Sequence, residues 1–314
     1  MILMSMQVPY DLLIGADGVG SIVRAALNKL MPSNYERRYR HNQSYCTAPI
    51  TTPVSGGQPM HASLQGHPLF KGGTVMWDAR GDHYNQAALE LPKHQVDAIR
   101  DDNVDQLLTL FENVAPNLPS CARIASTDLV RRKANFHSVP SWTDLSQMHG
   151  PKTVLLGDAA HTMHPVLGQG LNVGLEDAML FVQCLERHGS NVDTALPAFN
   201  TERTPDIHAI LTINEAVASG MGIASQDQHM AHTLWVWGHR VLLDLHMAVH
   251  MLLCSMAPNI FSEPVLVPLE MGTHSKPYRS LTRAIYCDAI VMAAILTSAA
   301  ACAAHLLQSH LLSG

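Results

Sequence analysis

Residues 153–172 read TVLLGDAAHTMHPVLGQGLN. Thr153 to Leu156 is a short apolar run that predicts a buried strand. Gly157 and Asp158 end it, and Pro165 and the triplet Gly168, Gln169, Gly170 punctuate the loop that follows. From Gly170 the period changes. Leu171, Leu175, Ala178, Val182 and Leu185 recur at helical spacing and form one stripe. A strand, a tight loop and a helix within so few residues restrict the chain to an α/β fold. They also put a carboxylate at the carboxyl edge of a sheet, where such folds bind ligands.

The residue types narrow the ligand. A carboxylate at Asp158 accepts hydrogen bonds from a sugar-like hydroxyl and repels a bare phosphate. Gly168 and Gly170 let backbone approach a flat group closely, because no Cβ intervenes. A helix starting near Gly170 aims free N–H groups and its positive dipole end at that group, which favours a ring that gains negative charge on reduction. Pro165 supplies a rigid wall without a donor. Together these features suit a flavin. A tight strand–loop–helix connection, with glycine serving only the turns, is the bland alternative.

Composition bounds the rest. The chain has 314 residues, 47% apolar and only 15% charged, with a formal net charge of −6. Lysine and arginine do not cluster, which argues against a nucleic-acid partner. The six cysteines, Cys46, Cys121, Cys184, Cys254, Cys287 and Cys302, include no CxxC pair and read as free thiols. The opening, MILMSMQVPYDLLIGADG, has no basic start and no cleavage site, so it is not a signal peptide. It runs straight into an apolar strand, Tyr10 to Ala16, as the middle of a fold would.

Asp17 to Gly20 reads as a turn, and Ser21 caps a helix over Ile22 to Leu30. Residues from about 40 to 150 are more β-like. Thr74 to Asp78 and Tyr84 to Leu91 predict a hairpin, and Val104, Leu107, Leu108 and Phe111 have helical spacing. Thr204-Pro205-Asp206 reads as the start of a further helix. Ala289 to Leu312 holds no Asp, Glu, Lys or Arg, and Arg279 and Arg283 precede it. A membrane anchor and a buried or interfacial helix are both open readings of that tract.

GDAAHTMHPVLGQGLNVGLED resembles the second flavin motif of the class A flavoprotein monooxygenases, and DLLIGADGVGSIVR (Asp11 to Arg24) resembles their other internal motif, which serves flavin and NADPH binding. The resemblance implies FAD and NADPH as cofactors, and molecular oxygen and a small aromatic substrate as reactants. The flavin supplies the chemistry, and no side-chain catalytic set is required. It implies that Asp158 binds the ribityl chain, that Pro165 lines the reacting face of the flavin, and that Leu171 and Asn172 offer backbone to its ring. Gly157, Gly168, Gln169 and Gly170 complete that motif, and Asp17, Gly18 and Arg24 carry over to the other.

Within that class the chain resembles the kynurenine 3-monooxygenases. LPAFNTERTPDIHAI (Leu196 to Ile210) and the helical C-terminal region are similar to theirs. The resemblance implies hydroxylation of L-kynurenine, with hydroxylation of another aromatic acid or phenol as the alternative. It also implies association with the outer mitochondrial membrane, with the cytoplasm as the alternative. The chain departs from the family in having no GxGxxG, the signature of the ADP-binding βαβ unit. Val217 and Glu270 stand where the family has a substrate Asn and Tyr. Met221 matches a family methionine and is a candidate pocket residue, with core packing as the other role.

The expected fold is therefore an FAD/NAD(P)-binding, Rossmann-like α/β domain, incomplete at its N-terminus, built from residues 1–40 and 151–215. A β-rich substrate domain (41–150), a helical region (216–286) and a hydrophobic helix (287–312) accompany it. A truncated, non-catalytic, membrane-anchored remnant is the competing class. His246 and His250 have a possible metal spacing, four apart, but no third ligand is evident nearby, and no metal is expected.

Overall fold

The computed structural model describes residues 8–31, 36–39, 43–50, 74–80, 84–92, 137–138, 142–220, 230–256 and 277–312. In chain order the elements used below are β1 (Leu13–Gly15), α1 (Ile22–Leu30), β2 (Gln43–Ile50), β3 (Thr74–Arg80), β4 (Tyr84–Pro92), β5 (His137–Ser138), β6 (His149–Gly150), β7 (Thr153–Leu155), α2 (Gly170–Arg187), α3 (Val192–Gly220), α4 (Met230–Met256) and α5 (Tyr278–Leu312). Short 3₁₀ turns cover Gly157–Ala159 and Pro165–Leu167. The chain divides into two units, one of residues 1–38, 142–217 and 229–314, the other of residues 39–141 and 218–228.

The first unit is mostly helical, around a small mixed sheet in the order β1-β7-β6. β1 and β7 are parallel, with Leu13 opposite Thr153 and Gly15 opposite Leu155. Parallel pairing requires a crossover between the strands, and here that crossover contains α1. β7 is wholly buried, as its apolar run predicts. β1 is shorter than the expected strand from Tyr10 to Ala16 and is not buried throughout. Gly15 is buried, but Ile14 is half exposed. Gly15 is small by necessity, because an added Cβ would fall 2.7 Å from Leu155 Cδ2.

Helix α1 starts where the sequence places it. Ser21 accepts a hydrogen bond from the Arg24 N–H at 2.9 Å and caps the first turn. The expected helix start at Thr204-Pro205-Asp206 is not a start. α3 runs unbroken through Pro197 and Pro205, and its cap is Asn191, whose Oδ1 accepts from Asp193 and Thr194. Proline removes one helical hydrogen bond. Around Pro205 the helix is held by its neighbours: Phe199, Ile207 and Ile210 are buried, and Arg203 and Asp206 are tied to other segments. Tertiary packing overrides the local stop signal.

The stripe on α2 forms one face of a helix, but that face points outward. Leu171, Leu175 and Val182 are all more than half exposed. The buried face is Val173, Asp177, Phe181 and Cys184, with the Phe181 ring edge-on to Phe199 at 5.3 Å.

In the second unit a four-stranded sheet runs β3-β4-β2-β5. The expected hairpin is present and longer at both strands. Thr74 pairs with Glu90 and Arg80 with Tyr84, antiparallel. The helical pattern at 104–111 and Met221 lie outside the described residues.

Candidate functional site

The loop between β7 and α2 is built around one buried carboxylate. Asp177 is fully buried on the inner face of α2. Its Oδ2 accepts the Gly157 N–H at 2.8 Å and meets His161 Nε2 at 2.6 Å, and its Oδ1 accepts from Arg203 Nε at 2.8 Å. Burial alone would raise the pKa of this group. The charges and hydrogen bonds of His161 and Arg203, with the Gly157 N–H, outweigh burial and hold the carboxyl below its ordinary value. Arg203 also donates to the Val173 carbonyl and to Glu176. One side chain thus fixes the end of β7, the middle of the loop and helix α3.

Backbone geometry explains the glycines. Gly157 has φ +57 and Gly168 has φ +62, both in the left-handed region that favours glycine. Gly157 and Gly174 also face each other. A Cβ on Gly174 would lie 3.4 Å from Gly157 Cα, so α2 sits directly against the strand end.

The sequence-predicted residues separate into an outer and an inner set. Asp158, Pro165, Gly168 and Leu171 are exposed, and Gly157, Gly170 and Asn172 are half-buried. They surround the start of α2, which has no side-chain cap hydrogen bond and no acidic residue in its first turn. Helix termini carry N–H groups that need partners. Gln169 is turned inward. Its Nε2 donates to the Leu167 carbonyl at 3.2 Å, and its Oε1 accepts from Asn172 Nδ2 at 3.2 Å and from the Tyr278 hydroxyl at 3.4 Å. The α2 side of the loop is held rigid from below and left open above.

The other motif meets this loop through Arg24, which is 0% exposed. Its Nη1 donates to the carbonyls of Ala159 at 2.7 Å and Asp158 at 3.3 Å, and its Nη2 to the Val19 carbonyl at 2.6 Å. Two segments 134 residues apart are joined by one guanidinium. Asp17 caps α1, accepting from the Ile22 N–H at 2.7 Å and the Val23 N–H at 3.3 Å. Desolvation is the largest single influence and raises its pKa, but the hydrogen bonds from Ser21, Val23 and Ile22 together outweigh it, and the carboxyl sits below its ordinary value. Gly18, at φ +77, makes the turn between them.

Sequence reasoning did not single out Asp177, His161 and Arg203 as a set. All three lie inside stretches that the motif reading quotes, but only the fold shows that they converge. A separate cleft of about 460 Å³ opens beside Arg203, lined in part by Glu176, Phe199, Asp206, Tyr278 and Arg279. Its charges are already partnered, Arg203 with Glu176 and Arg279 with Asp206. Elsewhere, on α4 and α5, His246 and His250 do have a third group beside them, Asp288.

Residues 5–213 match the family described as FAD binding domain. Kynurenine 3-monooxygenase 2 of Aspergillus niger is 28% identical over 222 residues, which cover 65% of this chain and 44% of that protein. Kynurenine 3-monooxygenase of Phaeosphaeria nodorum is 27% identical over 242 residues, covering 74% and 47%. The chain spans about half the length of the curated relatives it matches. Among solved structures, the tetrameric form of 2-methyl-3-hydroxypyridine-5-carboxylic acid oxygenase superposes with a TM-score of 0.55 at 23% identity, covering 70% of this chain and 57% of that one. pqsL, a probable FAD-dependent monooxygenase from Pseudomonas aeruginosa, gives 0.53 at 20% identity, covering 68% and 56%. These two likenesses establish the fold.

Proposed function

The chain belongs to the FAD binding domain family of flavoprotein monooxygenases, and from that premise we propose that it contributes the flavin site of an FAD- and NADPH-dependent hydroxylase of a small aromatic substrate. The observation that carries this reading is the uncapped start of α2 beside exposed Asp158, Pro165 and Gly168. These residues fit a flavin. An acceptor, a flat approach and a cluster of backbone donors adjoin one another there, and no described side chain caps the helix.

When bound, the flavin supplies the redox chemistry and the activation of oxygen. The protein's part is binding and positioning. Asp158 accepts hydrogen bonds from the ribityl hydroxyls. The N–H groups at Gly170, Leu171 and Asn172 present the positive end of α2 to the ring edge where negative charge develops. Pro165 forms the wall on the reacting side. Gln169 and Asp177 hold the loop so that those donors are in place before the ligand arrives. Asp17, Gly18 and Arg24 shape the opposite turn, where the second motif contributes to flavin and NADPH binding.

For the substrate, kynurenine or a related aromatic amino acid is the first to assay, because relatives named kynurenine 3-monooxygenase align with most of this chain. The test is a flavin titration of residues 1–314 in detergent, followed after gel filtration by fluorescence and visible absorption. Retained, quenched flavin in the native chain, lost in Asp158→Ala, supports the reading. Flavin that stays free sinks it for this chain alone. Kynurenine-stimulated NADPH oxidation then separates kynurenine from another aromatic acid.

We also propose that α5 contacts a membrane. Tyr278–Ala304 is long and apolar enough to cross one, and Ile290, Val291 and Ile295 on it are exposed. Flotation with lipid vesicles tests this. A chain ending at residue 277 that floats as well as the native one refutes it.

A further inference from the structure

His246 and His250 lie four residues apart on α4 and so share a helix face. Asp288 comes from α5. His246 Nδ1 and His250 Nε2 meet the same oxygen, Asp288 Oδ2, the second at 2.6 Å. The two imidazole rings lie 4.4 Å apart between centroids, and one potential ligand atom from each of the three residues falls within 4.8 Å of the others. We propose that this group binds a divalent transition-metal ion, of which Zn²⁺ is the natural probe, and that the ion clips α4 to α5.

The chemistry favours an ion over a simple hydrogen-bonded trio. Asp288 is the only Asp, Glu, Lys or Arg between Ala284 and Leu312. Among the described residues its carboxylate has no lysine or arginine partner. A lone carboxylate in an apolar helix needs a counter-charge. A divalent ion supplies one, and the two imidazole nitrogens that already converge on the carboxylate are the ligands it would take. Two histidines and one carboxylate are a donor set that Zn²⁺ accepts, with water completing the tetrahedron.

Ligand atoms around a tetrahedral Zn²⁺ stand roughly 3.3 Å apart, as bonds of about 2.0 Å require. The donors here must therefore part somewhat from hydrogen-bonding distance. His246 is held in the seam with its side chain 1% exposed, while the carboxylate of Asp288 is 24% exposed and can turn to make that space. The same opening gives an ion and a water a route in. The histidine spacing is visible in the sequence. The third ligand is not, because it lies 38 residues beyond His250 on another helix, just before the charge-free tract that starts at Ala289.

The test uses residues 1–314 in detergent, stripped with a chelator and titrated with Zn²⁺ against a chromogenic competitor. One tight equivalent is expected in the native chain and in His188→Ala, which removes a histidine elsewhere. That equivalent is lost in Asp288→Asn and in His250→Ala, with the helical circular dichroism unchanged. Absence of a tight equivalent in the native chain, or its persistence in both variants, overturns the site. A measurement without variants guards against misfolding. Co²⁺ added to the native chain gives the strong visible bands of four-coordinate nitrogen and oxygen ligation if the site exists. Only the weak bands of the hydrated ion count against it.

Discussion

Two regions of the first unit place a carboxylate between helices, and they solve the problem differently. Asp177 is wholly buried and satisfied three ways, by a backbone N–H, an imidazole and a guanidinium drawn from separate segments. Asp288 sits at the half-open seam of α4 and α5 and, among the described residues, meets two histidines of a single helix. The first arrangement fixes a loop in one geometry before any ligand arrives. The second leaves one acceptor shared by two donors and a way in for something else. Charge burial without slack builds a site's foundation, whereas partial burial with slack leaves room for an occupant.

The largest expected effect comes from breaking the first arrangement. Asp177→Asn keeps one acceptor oxygen but turns an amide toward donors, and it leaves buried Arg203 with only the partly exposed Glu176 as a carboxylate partner. Breaking one arm of a buried ion-pair cluster costs up to about 3–5 kcal/mol, to be read from chemical unfolding of the chain. The pH dependence has a definite sign. The folded carboxyl lies below its ordinary value, so its contribution is complete above the usual carboxylate range, near pH ~4. It is lost as pH falls through the depressed folded value. The stability gap between native and Asp177→Asn chains shrinks on acidification. A gap that stays constant into strong acid breaks this account.

Arg24→Met comes next. It fills much of the same volume but takes the guanidinium donors from the carbonyls of Ala159 and Val19, while that of Asp158 keeps the Thr162 hydroxyl. Only the Ala159 carbonyl is fully buried; a buried acceptor left without its donor costs about 1–3 kcal/mol, and a net loss of about 2 kcal/mol is expected. Because this side chain joins the two motifs, flavin retention should fall with it. A variant that unfolds at the native denaturant concentration would show that the link is incidental.

Much of this was legible in the sequence. The strand–loop–helix from Thr153, the cap at Ser21, and the hairpin of β3 and β4 follow from local chemistry, where each signal and its partner lie within a few residues. What was not legible depends on distant partners. Periodicity shows which residues of α2 share a face, but not which face is inside. The apolar stripe is outside, and a face carrying Asp177 is inside, because Arg203 and His161 make that burial tolerable. Pro205 likewise reads as a helix start until the packing of Phe199, Ile207 and Ile210 on both sides of it is known.

Asp288→Asn sharpens the opposite side of the comparison. In the metal-free chain the amide still accepts a hydrogen bond, and the group is partly solvated. The expected loss is about 1 kcal/mol or less, several times smaller than for Asp177→Asn. Added Zn²⁺ should widen that difference, since only the native chain gains from an ion bound to the folded state. Thermal melting with and without the ion measures both quantities. Equal losses at the two aspartates would mean that α4 and α5 are packed as tightly as the loop.

The smallest effect is expected at the stripe itself. Leu175 is 62% exposed, so Leu175→Ser removes little surface from the interior and should change stability by no more than about 0.5 kcal/mol. Phe181, two turns along the same helix on the inner face, is 1% exposed, and Phe181→Ala should cost about 3–5 kcal/mol. The two substitutions act on one helix with one backbone, so their ratio isolates the face from the propensity of the sequence around it. A large loss at Leu175 would place the stripe against a surface that covers it in solution, and a partner for that face would then have to be sought.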